Sequence, residues 1–387
     1  MSATSPLGAV GALGIALVTV ALLQRRFGTA PPARRFSTLD GLRGYAAFLV
    51  YLHHTAIWYA FGRTGIWELP PTRLYTHFGQ SSVTIFFMIT GLLFWSKLID
   101  GRGGEFNWRR LYVSRVLRLT PLFLFLVALL WIVALGMSGG RLRLSAPRAM
   151  LQTLQWATFT VFGMPNINFS PSPIIGGSAW SLPYEWWFYL SLPMAGLLVG
   201  LRPPRGWLIL GLAALACGAW WVSSRGSWEI ASAFLGGIAT AMLVRQPAIR
   251  DVGRHPIAAV VCLAALAAVT RFDTAFAPAP LLLLSLAFAI IACGNSLFGS
   301  LEWPAARGLG EMGYSVYLLH GVVLFVAFGL LLRPVESGAA GTFTHWAIVY
   351  ACAAIVPLVS FATFRWIEAP GMGIVERFTS SRPSRTA

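Results

Sequence analysis

Arg43 and His54 stand eleven residues apart in an otherwise apolar stretch, DGLRGYAAFLVYLHH. On a helix that separation turns through about 1100°, which brings the two side chains within roughly 20° of one another and about 16 Å apart along the axis. His53 falls about 80° to the side. A cation near one membrane surface and an imidazole near mid-bilayer would then share one stripe. Ionisable groups at that depth are costly and face cavities or partners, and an imidazole is suited to take up and return a proton. The plainer alternative makes Arg43 a surface anchor and His54 a hydrogen bond between helices.

Three further groups carry chemistry. In RRLYVSRVLRLTP, Arg115 and Arg118 are three residues apart and so neighbours on a helix surface, where like charges repel unless an anion lies between them. Guanidinium forks match phosphate oxygens, so a phosphate fits there; topology signalling is the plainer reading. In GGSAWSLPYEWWFYLSLP, Ser181 is expected to cap a helix with Pro183 and Glu185 in its first turn. Trp180 precedes that cap, and Glu185 reads as a carboxylate able to pair with a histidine. In GEMGYSVYLLHGVVLF, Tyr317 and His320 share a face, with packing as plausible as catalysis. Gly91 reads as a point of close helix approach. Cys217, Cys262, Cys293 and Cys352 lie in apolar runs without ligand spacing, so neither metal nor disulfide is expected. His77, His255 and His345 are assigned no role.

The elements that must hold these groups are membrane spans. The chain is 57% hydrophobic and only 11% charged, against about 25% charged in soluble domains. Spans are expected near 7–24, 41–61, 79–99, 117–136, 184–200, 207–222, 229–244, 257–270, 278–294, 312–332 and 345–366. The fold is therefore expected to be an all-α integral membrane bundle of about eleven transmembrane helices. The net charge of +16 is read as positive-inside topology rather than nucleic-acid binding. With the N-terminus outside, twenty-one of the 29 Lys and Arg residues fall on the cytoplasmic side and eight outside. Residues 149–164 would invert every later loop if they crossed, so 137–183 is expected to be one external region with an amphipathic or re-entrant piece. The expected organisation is a leading helix and cytoplasmic linker (1–35), a membrane domain (36–371) and a basic cytoplasmic tail (372–387).

These blocks together resemble the acyltransferase-3 family of membrane-bound acyltransferases, the group that O-acetylates bacterial surface polysaccharides. LDGLRGYAAFLVYLHH resembles the family's first-helix signature, with Arg43 and His54 at its basic and histidine positions. SVTIFFMITGLLF, RVLRLTP, WSLPYEWWFY, LGEMGYSVYLLH and WIEAPG are similar to five later blocks, in order. The resemblance implies a ten-helix core, here with one added leading helix. It also implies a catalytic role for His54, CoA phosphates held by Arg115 and Arg118, and acyl-CoA arriving from the cytoplasm as co-substrate with no resident cofactor. A two-step relay through a C-terminal extracytoplasmic hydrolase-like domain, which some members carry, is not expected unless a separate protein supplies it.

The function expected from residues and resemblance together is O-acyl transfer, from acetyl-CoA to a hydroxyl of an extracytoplasmic glycan or lipid-linked saccharide. His54 would be the base, oriented by Glu185 or Asp40, with Arg43 a further phosphate contact and Tyr317 or Trp180 as oxyanion donors. The location would be the bacterial cytoplasmic membrane. The rival reading is a multi-pass transporter or flippase, since buried Arg, His and Glu also mark substrate and proton paths; a non-catalytic scaffold is a third.

Overall fold

A backbone surrounded by hydrocarbon must satisfy its own N–H and C=O groups, so long apolar runs have little choice but to become helix. The computed structural model describes residues 2–29, 37–103, 106–331 and 341–380, and among them there is helix and no strand. Part of the expected linker (30–36) and the end of the expected basic tail (381–387) lie outside the described residues.

In chain order the helices are α1 Pro6–Phe27, α2 Ser37–Thr64, α3 Arg73–Asp100, α4 Trp108–Met137, α5 Ala146–Ala157, α6 Ser172–Ile175, α7 Leu182–Leu198 and α8 Arg205–Ser223. They continue with α9 Trp228–Leu243, α10 Pro247–Arg254, α11 Pro256–Val269, α12 Pro278–Ala292, α13 Pro304–Glu311, α14 Gly313–Leu324, α15 Thr342–Thr363 and α16 Ala369–Ser380. A π-helical stretch, Phe325–Leu331, prolongs α14.

A helix stands at each of the eleven expected spans. Among the described residues six helices are both long and apolar enough to cross a bilayer, or seven if α10 and α11, bent by 76°, form one broken span. α9 and α12 are apolar but shorter. The helix that carries His54 is not among the six, because two histidines and three tyrosines dilute its apolar character. α5 has 12 residues, about 18 Å of helix against a hydrocarbon core of about 30 Å, so it is too short to cross.

Two compact units make up the chain. The first holds Met1–Ile99 and Ala219–Leu358, the second Asp100–Gly218 and Val359–Ala387.

In the first unit, α2 is packed along α13 and α14. Glycines make this approach possible. A Cβ at Gly310 would collide with the Asp40 carbonyl oxygen, and one at Gly44 with the Ala306 carbonyl oxygen. Further along, a Cβ at Gly313 would touch the Cβ atoms of Arg43 and Ala47. α2 and α14 therefore run side by side in the same direction, with His54 meeting His320 beyond that point. The close approach expected at Gly91 is also present, since a Cβ there would collide with the Phe234 carbonyl oxygen of α9.

α1 belongs to the same unit. Trp346 donates its indole N–H to the Ser2 carbonyl at 2.9 Å, the Tyr75 hydroxyl donates to the Ser5 carbonyl at 3.0 Å, and Gln24 donates to the Pro304 carbonyl at 2.8 Å. In the second unit, α4 packs against α5 and α16, and Gly371 of α16 lies so close that a Cβ would collide with the Leu117 carbonyl oxygen.

Candidate active site

The first unit assembles a pair of imidazoles from α2 and α14. His54 Nδ1 lies 2.9 Å from the Val50 carbonyl oxygen, one helical turn back, and 3.1 Å from Nε2 of His320. His320 Nδ1 lies 3.0 Å from the Val316 carbonyl oxygen. A carbonyl oxygen only accepts, so each Nδ1 carries the hydrogen. Nε2 of neutral His320 is then a lone pair, and it accepts a share of the Nδ1–H of His54. The consequence is a defined tautomer: Nε2 of His54 is the unprotonated nitrogen, and it has no hydrogen bond among the described residues. His54 is half-buried, while His320 is 1% exposed.

The surroundings of the pair are aromatic. Tyr317 is buried one turn before His320, with ring centroids 6.4 Å apart, and meets Phe86 edge to face. The Trp67 indole lies 6.5 Å from the His54 ring with planes 29° apart, and Trp67 packs in turn on Trp58 and Phe61. His53 points elsewhere. Its Nδ1 donates to the Tyr75 carbonyl at 2.7 Å, and a Cβ at Gly79 would strike its ring at 2.6 Å.

Arg43 lies on α2 as expected and pairs with Asp40 at 3.3 Å. That pair corrects the expectation that Asp40 orients His54. The two residues are fourteen positions apart on one helix, about 21 Å along its axis, and the Nδ1–H of His54 is already taken by Val50 and His320. The side chain bonded to His54 Nδ1 is an imidazole, not the Asp40 carboxylate.

The second unit holds the other expected residues. Arg115 and Arg118 are half-buried on α4. The Tyr189 hydroxyl donates to Glu185 Oε2 at 2.6 Å, one turn along α7, and Arg115 lies within electrostatic reach of Tyr189, Glu185 and Arg118. Glu185 is thus part of an arginine–tyrosine–carboxylate cluster. Trp180 is half-buried and meets Tyr184 edge to face at 6.0 Å. Ser181 does not cap α7: the turn Gly177–Ser181 is already 3-10 helix, Ser181 has φ −81° and ψ −22°, and its hydroxyl donates to the Ser178 carbonyl at 3.3 Å. An N-cap needs an extended backbone, and this one is helical.

A family model described as an acyltransferase domain, that of acyltransferase-3, matches residues 36–363. The chain belongs to the acyltransferase-3 family. Comparison with curated proteins and with solved structures finds no match. The matched region begins after α1, so this acyltransferase-3 domain carries the imidazole pair, the arginine cluster and all ten of the expected site residues, while α1 lies outside it.

Two features of this acyltransferase-3 domain escaped sequence reasoning. One is the direct bond between His54 and His320, whose positions are 266 residues apart. The signal was the pair of histidines inside apolar helices, where each needs a partner. The other is the support of the histidine helix by Tyr75, whose carbonyl holds His53 and whose hydroxyl reaches α1. No pattern at Tyr75 points to that.

Proposed function

We propose that this acyltransferase moves an acetyl or other short acyl group from acyl-CoA to a hydroxyl of an extracytoplasmic glycan or lipid-linked saccharide. The observation that carries this reading is the tautomer imposed on His54, which leaves Nε2 as a basic lone pair on a half-buried side chain. In the proposed reaction Nε2 takes the proton of the acceptor hydroxyl as its oxygen attacks the thioester carbonyl carbon. The carbon–sulfur bond breaks, and the imidazolium returns the proton to the CoA thiolate. The products are an ester and CoA thiol. His320 steadies the imidazolium by accepting from Nδ1–H, the part an aspartate plays in serine hydrolases.

Arg115 and Arg118, with Arg43, are proposed to bind the CoA phosphates, for which guanidinium forks are matched. Glu185 and Tyr189 would hold Arg115 in place. Tyr317 or Trp180 is the proposed donor toward the oxyanion.

The location proposed is the bacterial cytoplasmic membrane, with the N-terminus outside, the C-terminus inside and eleven spans. Two observations support that count. α5 is too short to cross, and α2 and α14 run in the same direction. Seven of the expected spans separate them, which returns the chain to the same sense; a crossing by α5 would have reversed α14.

Purified protein in proteoliposomes, supplied with acetyl-CoA labelled in the acetyl group and with extracted surface glycans, tests the proposal. It predicts release of CoA and label in an alkali-labile ester on the glycan. Well-folded protein that neither binds nor consumes acetyl-CoA would contradict it and favour the transporter reading.

A further inference from the structure

α5 buries Trp156 but turns a second apolar face outward. Its apolar side chains Met150, Leu151 and Leu154 are 65%, 57% and 49% exposed. Two of its polar ones face the protein: Thr153 Oγ1 accepts from the Trp131 indole at 3.0 Å, and Gln152 Oε1 accepts from the Asn168 backbone N–H at 3.2 Å. A helix against water turns the other way. Twelve residues cannot cross the bilayer, so the exposed apolar face belongs at the boundary of headgroups and acyl chains, where non-crossing amphipathic helices lie.

A second observation concerns charge. Arg141, Arg143 and Arg148, at the entry to α5, are all exposed, and none of their side chains makes a hydrogen bond or ion pair among the described residues. Their loop is nevertheless held firmly. Asn168, 2% exposed and in the left-handed region at φ 48°, accepts from the Arg143 N–H at 2.7 Å and donates to the Arg141 carbonyl at 3.0 Å and to Ser138 Oγ at 3.1 Å. A buried asparagine in a strained conformation thus fixes the backbone that presents two free guanidinium groups. Cations flanking an apolar face are the pattern that adsorbs to anionic lipid.

We propose that residues 138–157 form a membrane-interface platform: the apolar face of α5 enters the lipid, and Arg141, Arg143 and Arg148 engage the phosphates of anionic lipid headgroups. The platform is independent of acyl transfer, so its failure leaves that reading standing.

The test uses the full chain in nanodiscs. Met150→Cys, and separately Leu154→Cys, carries an environment-sensitive fluorophore in a Cys217→Ser background, Cys217 being the exposed one of the four cysteines. Quenching by spin-labelled lipid and protection from aqueous iodide are expected at both positions. Replacing phosphatidylcholine by a mixture with phosphatidylglycerol should shift the emission further to the blue, and Arg141→Gln with Arg143→Gln and Arg148→Gln should erase that lipid dependence. Strong iodide quenching at both positions would overturn the proposal. So would a label shielded from both quenchers, which would mean a protein partner, or a lipid dependence that survives the triple substitution.

Discussion

Nε2 of His320 lies 3.1 Å from Nδ1 of His54, and the Val50 carbonyl lies 2.9 Å from the same Nδ1. These contacts leave Nε2 of His54 as its lone-pair nitrogen, and in the proposed mechanism they give the imidazolium a neighbour ready to share its charge. Removing His320 should leave the base in place but badly oriented. His320→Ala is expected to lower kcat by about tenfold to a hundredfold, less than the 10²–10⁴-fold that loss of a general base costs. His320→Gln, whose amide oxygen can stand near the old Nε2, should recover part of the loss. Steady-state kinetics with acetyl-CoA would show the split, with KM for acetyl-CoA little changed in both.

Arg115 is expected to act on binding. Arg115→Ala should raise KM for acyl-CoA by about ten- to a hundredfold, the value of one charge-assisted hydrogen bond. Arg115→Lys should rescue it poorly, since an ammonium cannot reproduce the fork. Isothermal titration with a non-hydrolysable acyl-CoA analogue would check this without turnover.

The junction of α2 with α13 leaves no room for a methyl group. Gly310→Ala must push the Asp40 carbonyl away, and overpacking of this kind costs about 1–3 kcal/mol. A lower Tm in detergent is expected, together with reduced kcat, because the same junction sets α2 against α14.

Tyr75 ties α1 to the histidine helix. Tyr75→Phe removes only the hydrogen bond to the Ser5 carbonyl, worth about 1 kcal/mol, and should lower Tm slightly. Deleting residues 1–28 also removes the acceptor of Trp346 and the Gln24 contact, so a distinctly larger fall in Tm is expected. Differential scanning fluorimetry of the two variants gives the order.

Helices were legible because apolar runs long enough to span allow nothing else, and a helix stands at each expected span. The shared stripe of Arg43 and His54 was legible for the same reason, since helical geometry fixes it locally. The partner of His54 was not. A bond between residues 266 positions apart depends on how α2 packs on α13 and α14, and three glycines that look unremarkable in sequence lie in that packing. Ser181 misled because a serine before a proline resembles a cap whether the preceding backbone is extended or, as here, already 3-10 helix. The outward apolar face of α5 was hidden for a related reason: periodicity shows that a helix has two faces, and only tertiary contacts show which one is turned inward.

The most direct test of the central claim compares wild type with His54→Ala for release of CoA from acetyl-CoA in the presence of a glycan acceptor. The variant is expected to bind acetyl-CoA, to keep its Tm, and to lose about 10²–10⁴-fold in turnover. Near-normal turnover by His54→Ala would contradict that claim.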